Sequence, residues 1–181
     1  MRTALGHLSV HTSLSRVLAA VAAIAVGCYA SQSFAGHHFY TADAGEARLV
    51  QTQGHQAEGQ LGCVYLLDKA PPDAVRFYRA YNPATGDHLY TIDAAEKSNV
   101  LKNGWKDEGI VGSIYSQPHP KTIPIYRLYH AGQQDHFMTI SPDESFFAAQ
   151  KGQYKFEGVA GWILTECTRG TTAPLHRFWK P

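Results

Sequence analysis

The chain has 181 residues, 44% of them hydrophobic and 17% charged, and its 16 Lys and Arg face 15 Asp and Glu for a formal net charge of +1. This is the composition of a folded globular protein, not of a disordered one. The near balance excludes the broad cationic field that nonspecific nucleic-acid binding requires, and it leaves no acidic tail to gather metals or basic partners.

At the N-terminus, Arg2 and Arg16 precede an apolar run from Val17 to Gly27 and then the small-residue stretch Ser33-Phe34-Ala35. The pattern predicts a secretory signal peptide over residues 1–35, with Ser33 and Ala35 as the small side chains that cleavage after Ala35 needs. The apolar run falls short of the about 20 residues that a membrane-spanning helix requires. A mature chain of residues 36–181 without a transmembrane segment, secreted or periplasmic, is therefore expected. The competing reading is a lipoprotein anchored through Cys28, which follows Ala25-Val26-Gly27. If Cys28 is removed, Cys63 and Cys167 remain, and an even pair in an oxidising compartment predicts one disulfide. Two buried free thiols are the alternative.

The mature chain reads as three repeats. Gly86-Asp87-His88-Leu89-Tyr90-Thr91 aligns with Gln134-Asp135-His136-Phe137-Met138-Thr139 and with Gly36-His37-His38-Phe39-Tyr40-Thr41. Beyond the histidine, Asp93 with Glu96 matches Asp43 with Glu46 and Ser141 with Glu144. Glycines follow at 104, 54 and 152, then Glu108-Gly109, Glu58-Gly59 and Glu157-Gly158, then glycines at 112, 62 and 161. A self-similarity of this period marks a repeat architecture. Upstream, Phe77-Tyr78-Arg79-Ala80-Tyr81 matches Ile125-Tyr126-Arg127-Leu128-Tyr129, and repeat one lacks the segment until it returns at the end of the chain as Leu175-His176-Arg177-Phe178-Trp179. The C-terminal strand should therefore close repeat one and protect the strand edges. The repeats fall at 36–75 plus 174–181, 76–123 and 124–173.

Within a repeat, Tyr-Arg-x-Tyr alternates as a strand, and Asn82-Pro83-Ala84-Thr85-Gly86-Asp87 turns it into a second strand at His88. Asp93-x-x-Glu96 then reads as a capping box, with Asp93 accepting from free backbone donors and Glu96 reaching back. Gly104, Gly54 and Gly152 stand where a helix would end in a left-handed residue. Two short strands, around 105–108 and 113–115, complete the unit. The expectation is a mainly β, trefoil-like fold with short helices, in which three pseudo-symmetric repeats contribute four strands each.

These residues resemble a secreted repeat family of bacteria and fungi described as a domain of unknown function. Its pattern is Tyr-Arg-Leu-Tyr-Asn-Pro, Gly-Asp-His-Phe-Tyr-Thr, a capped helix, Gly-Trp and Glu-Gly. Tyr126-Arg127-Leu128-Tyr129, Gly86 to Thr91, Gly104-Trp105 and Glu108-Gly109 carry the likeness across the mature chain. The resemblance implies an accessory module of cell-wall amidases and other secreted hydrolases, hence attachment to a surface or glycan rather than catalysis. Repeat one departs most, with His37 at the acidic position and His55 near the Trp105 position.

A hydrolase normally needs one asymmetric set of nucleophile, base and oxyanion donors, so residues repeated three times are structural or form three binding sites. No G-x-S-x-G elbow, H-E-x-x-H, Walker loop or C-x-x-C pair is present, and no cofactor signature is found. Arg79, Arg127 and Arg177 are expected either to clamp the hairpins by pairing with Asp87 and Asp135 or to contact a ligand. Glu58, Glu108 and Glu157 are expected to accept backbone donors beside their glycines. His38, His88 and His136 read as satisfied hairpin histidines, with a shared zinc ion as the alternative. Tyr81, Tyr129, Trp179, Trp105 and Tyr154 are the aromatic rings on which a sugar could stack, although most repeated aromatics should pack the core. The leading functional expectation is a noncatalytic module for cell-wall or extracellular carbohydrate with up to three quasi-equivalent sites. A metal-assisted secreted hydrolase and an envelope structural or protein-interaction factor are the competitors.

Overall fold

Residues 36–181 are described by a computed structural model. The signal-peptide and Cys28 expectations lie outside them. The first unit forms from both ends of this stretch: β1 (His37–Thr41), α1 (Ala44–Thr52) and β2 (Gln56–Tyr65) join β9 (Thr172–Lys180). The second is β3 (Val75–Tyr81), β4 (His88–Thr91), α2 (Ala94–Lys102) and β5 (Lys106–Ile114), and the third is β6 (Thr122–His130), β7 (Asp135–Thr139), α3 (Pro142–Lys151) and β8 (Lys155–Leu164). In each, a central strand is flanked antiparallel by a short strand and a long one: β9 by β1 and β2, β3 by β4 and β5, and β6 by β7 and β8. The expected closure of repeat one by the C-terminal segment is therefore observed, with Arg177 opposite Tyr40.

The long strands knit the units into one nine-stranded antiparallel sheet. Tyr65 pairs with Ser113, Cys63 with Leu164, and Tyr115 bridges Trp162. The expectation of four strands per repeat fails. The stretches around 105–108 and 113–115 belong to the single strand β5 and its immediate flanks, and the described residues hold nine strands where a trefoil has twelve. The physical reason is that two irregularities in each long strand bend the ladder without breaking it. One sits at the Glu-Gly pair, where Gly158 takes φ +120°, a region open to glycine. The other precedes Gly161, whose missing side chain leaves room for Ile114: a Cβ there would lie 2.5 Å from its Cδ1.

The main core draws the same positions from each unit: Phe77, Ile125 and Leu175 from central strands, Tyr40, Tyr90 and Met138 from short strands, and Val64, Ile114 and Ile163 from long ones. All nine are buried at 1% exposure or less. Smaller clusters seat two helices, α1 through Ala47 and Val50 on Phe39 and Phe178, and α3 through Ala148 on Leu128, Phe137 and Tyr154. Cys63 and Cys167 form the expected disulfide.

Helix starts follow the sequence in part. Asp43, Asp93 and Ser141 are N-caps, accepting from backbone N–H groups of the first turn. The glutamates do not take the N-cap N–H as a capping box requires: in all three units that N–H donates to the hydroxyl of the threonine two residues earlier, and the glutamate bonds the threonine and an arginine instead. At the helix ends, Gly54 and Gly104 adopt φ +92° as expected, but Gly152 has φ −87° and is itself the C-cap, so Gln153 takes the left-handed conformation at φ +61°.

Candidate functional site

Each repeated arginine bridges two repeats. Arg79 donates through both terminal nitrogens to Glu46 of the preceding repeat at 2.9 and 2.8 Å, Arg127 does so to Glu96 at 2.9 and 2.7 Å, and Arg177 to Glu144 at 2.9 and 3.0 Å. The remaining nitrogen faces the bulge glutamate of the same unit. Nε lies 2.7 Å from Glu108, 2.9 Å from Glu157 and 3.0 Å from Glu58 for Arg79, Arg127 and Arg177. A planar guanidinium suits this arrangement, because it presents a fork to one carboxylate while its Nε edge meets another. The Glu-Gly bulge aims the second carboxylate: in β2 and β8, Glu58 and Glu157 are the extra residues that have no partner in the ladder.

The helix glutamates carry a further bond. Thr41 and Thr139 donate their hydroxyls to Glu46 and Glu144, and Thr91 bonds Glu96 in the same way. Burial pulls the carboxyls of Glu46, Glu96 and Glu144 upward, but the arginine bonds and charges and the threonine hydroxyls outweigh it and leave all three below their ordinary value. Burial likewise pulls Arg127 down, and its glutamate partners more than offset that.

The histidines complete the network in two of three units. His38 Nδ1 lies 2.7 Å from Asp135 Oδ2 and its backbone N–H donates to Oδ1 at 2.8 Å; His136 meets Asp87 in the same way at 2.6 and 2.9 Å. Their Nε2 atoms face Glu58 and Glu157 at 3.8 and 3.7 Å. His88 breaks the pattern, because repeat one offers His37 where the others offer aspartate. Its Nδ1 is buried without a hydrogen-bond partner. Burial first, then the Arg79 charge and His37, push its pKa down to about 3. Asp135 is pushed up by burial, yet bonds and charge from His38 and the Tyr154 hydroxyl at 2.7 Å hold it below the usual range.

Four expectations are corrected by this geometry. The arginines pair with glutamates, not with Asp87 and Asp135, since those aspartates already hold histidines. Glu58, Glu108 and Glu157 face arginine side chains, not backbone donors. His38 and His136 are the satisfied histidines expected but His88 is not, and the alternative of a zinc ion shared by the three is not supported, since among the described residues the ligand-type atoms that converge within 4.8 Å belong to His37, Asp87 and Asp135. Tyr154 is buried at 2% and spends its hydroxyl on Asp135, so it offers no ring face to a ligand. Tyr81, Tyr129, Trp105 and Trp179 are half-buried. Tyr81 and Tyr129 lie against His88 and His136 at ring distances of 4.9 and 4.6 Å, and Trp105 approaches His136 at 6.2 Å.

The sequence reading missed the role of Glu46, Glu96 and Glu144. Their fixed spacing from the threonine in Thr41-x-x-x-x-Glu46 was the available signal, and the capping-box reading absorbed it. Beside Arg127 a groove of about 270 Å³ opens, lined by Thr91, Asp93, Glu96, Glu157 and Val159 among others.

Among known proteins, the family described as Domain of unknown function (DUF5648) matches residues 28–164, and the chain belongs to that family. No curated protein and no solved structure matches it.

Proposed function

We propose that this member of the DUF5648 family is a secreted, noncatalytic binding module for cell-wall or other extracellular carbohydrate, with the junction of repeats two and three as its best-formed site. The observation that carries the reading is the adjacency of planar rings and carboxylates there. Glu157, which lines the groove, lies 3.7 Å from His136, whose ring in turn adjoins Tyr129 and Trp105. Sugars are recognised by this pairing of aromatic faces with directional polar groups. Two further features support it. The repeated arginines and glutamates pair mainly with each other across repeats, which suits a scaffold more than a reaction centre. The disulfide and the lack, among described residues, of a helix long and apolar enough to cross a membrane fit an extracellular or periplasmic protein.

In this reading the three units form a trefoil-like ring about a pseudo-threefold axis, supported by the three cross-repeat forks, and several weak sites add up on a polymer. A glycan array probed with the wild-type protein and with Trp105→Ala and Tyr129→Ala tests it. A ligand whose signal falls about tenfold or more in both variants is expected; silence across the array counts against carbohydrate. A protein-interaction role is favoured by one separate observation, the exposure of Phe146 and Phe147 on α3 at 60% and 46%.

A further inference from the structure

The three short strands β1, β4 and β7 touch one another. Each is entered through the residue that precedes the repeated histidine, and so His37, Asp87 and Asp135 come together with one ligand-type atom from each within 4.8 Å of the others. We propose that this trio binds a first-row divalent transition-metal ion such as zinc. The inference does not depend on the carbohydrate reading.

Charge is the first argument. Asp87 and Asp135 are 1% and 0% exposed. Among the described residues neither has a lysine or arginine within ion-pair distance, because the neighbouring arginines are taken up by glutamates. Each aspartate has a histidine partner, His136 for Asp87 and His38 for Asp135; two buried carboxylates with ligand atoms within 4.8 Å still repel each other, and a cation between them relieves that cost.

Orientation is the second. Asp87 is held by the backbone N–H and Nδ1 of His136, and Asp135 by the same two groups of His38 and by the Tyr154 hydroxyl. Bonds of this kind to an outer shell are what fix carboxylate ligands around a metal.

His37 supplies the third. Its Nδ1 is shielded from solvent, has no hydrogen-bond partner, and lies 3.8 Å from Asp135 Oδ1. The other edge of the ring rests on Gly86, where an added Cβ would stand 3.3 Å from Cδ2. Nδ1 thus faces the carboxylates, and in the tautomer protonated at Nε2 it presents a lone pair to an ion between them. Ligands at about 2.1 Å from an ion sit roughly 3 to 3.5 Å from one another, so the three atoms, now within 4.8 Å of one another, have to draw together by about 1 to 2 Å at most to hold the ion. With one imidazole nitrogen and two carboxylate oxygens the trio favours a transition ion over calcium or magnesium, which prefer oxygen throughout. Three protein ligands leave further positions for water or a ligand.

The test is calorimetric titration of the metal-free protein with zinc chloride, and separately with manganese and calcium chloride, together with the metal content of the dialysed product. The expected result is one zinc per chain, at least tenfold weaker in His37→Ala and unchanged in His119→Ala, with zinc raising the melting temperature of the wild type but not of His37→Ala. His37→Asp restores the acidic residue found in the other two repeats, and it should move preference from zinc toward manganese and calcium. Absence of stoichiometric zinc binding, or zinc binding that His37→Ala leaves unchanged, would overturn the site. Because the His37 side chain is 32% exposed, its replacement leaves the fold intact, and the melting curve of the metal-free variant verifies this.

Discussion

The guanidinium of Arg177 holds the carboxylate of Glu144 through two bonds of 2.9 and 3.0 Å and so fastens the C-terminal strand to the third helix. Its Nε faces Glu58, so removing Arg177 strands two partly buried carboxylates at once. Arg177→Met should lower unfolding stability by about 2 kcal/mol, less than a fully buried pair would lose because Glu144 is partly solvated. Arg177→Lys should recover only part of it, since a point charge cannot reproduce the fork. Urea midpoints at constant slope measure both.

That pair also sets a pH dependence. The Glu144 carboxyl is raised by burial and lowered by more through Arg177 and Thr139, so its folded pKa lies below the ordinary 4.5. A depressed folded pKa contributes stability that is fully present above the unfolded value and is lost as pH falls through the folded one. The stability gap between wild type and Arg177→Met is therefore expected to be constant above about pH 5.5 and to shrink below about pH 4.5. Denaturation curves across that range check it; a gap that widens toward acid contradicts the sign.

In the core, Tyr40 and Tyr90 use their hydroxyls as backbone partners for the next strand. Tyr40 donates to the Met138 carbonyl and accepts from the Met138 N–H, and Tyr90 does the same for Tyr40. Tyr40→Phe keeps the ring but leaves two buried backbone groups of β7 without a partner. A loss of about 2 kcal/mol is expected. Amide exchange at Met138, faster in the variant, would localise the effect.

Cys63 and Cys167 join positions 104 residues apart. Closing a loop of that length removes enough unfolded-chain entropy to contribute about 4 kcal/mol. Cys63→Ala with Cys167→Ala should lower the melting temperature by roughly 10 °C or more, and a reducing agent should act on the wild type alone.

The repeat frame was legible in the sequence because repeated chemistry is visible without coordinates: Arg127 with Arg79 and Arg177 announced the central strands, and Cys63 with Cys167 announced the disulfide. Partner choice was not. Arg177 lies 33 positions from Glu144, the same separation as Arg79 from Glu46, but the two side chains sit on a strand and a helix of neighbouring units, and residue types alone do not say which carboxylate a guanidinium takes. The capping-box reading of Asp93 and Glu96 was half right for a local reason: the N-cap bond needs only its own turn, whereas the Glu96 side chain answers to an arginine from another unit. Tyr154 shows the same limit. Its position matched the half-buried Trp105, and burial against Asp135 set it apart. Substitution of one aspartate by His37 left a mark in the sequence, but its consequence for His88 and for the carboxylate pair needed three strands to meet.

The most direct measurement of the central claim is co-sedimentation of the purified protein with insoluble peptidoglycan, chitin and cellulose, run beside Trp105→Ala and Tyr129→Ala. Retention of the wild type on at least one polymer, with about tenfold weaker retention of both variants at unchanged melting temperature, is the predicted result. Wild-type protein that stays in the supernatant with all three polymers, or variants that sediment as well as it does, would contradict the account.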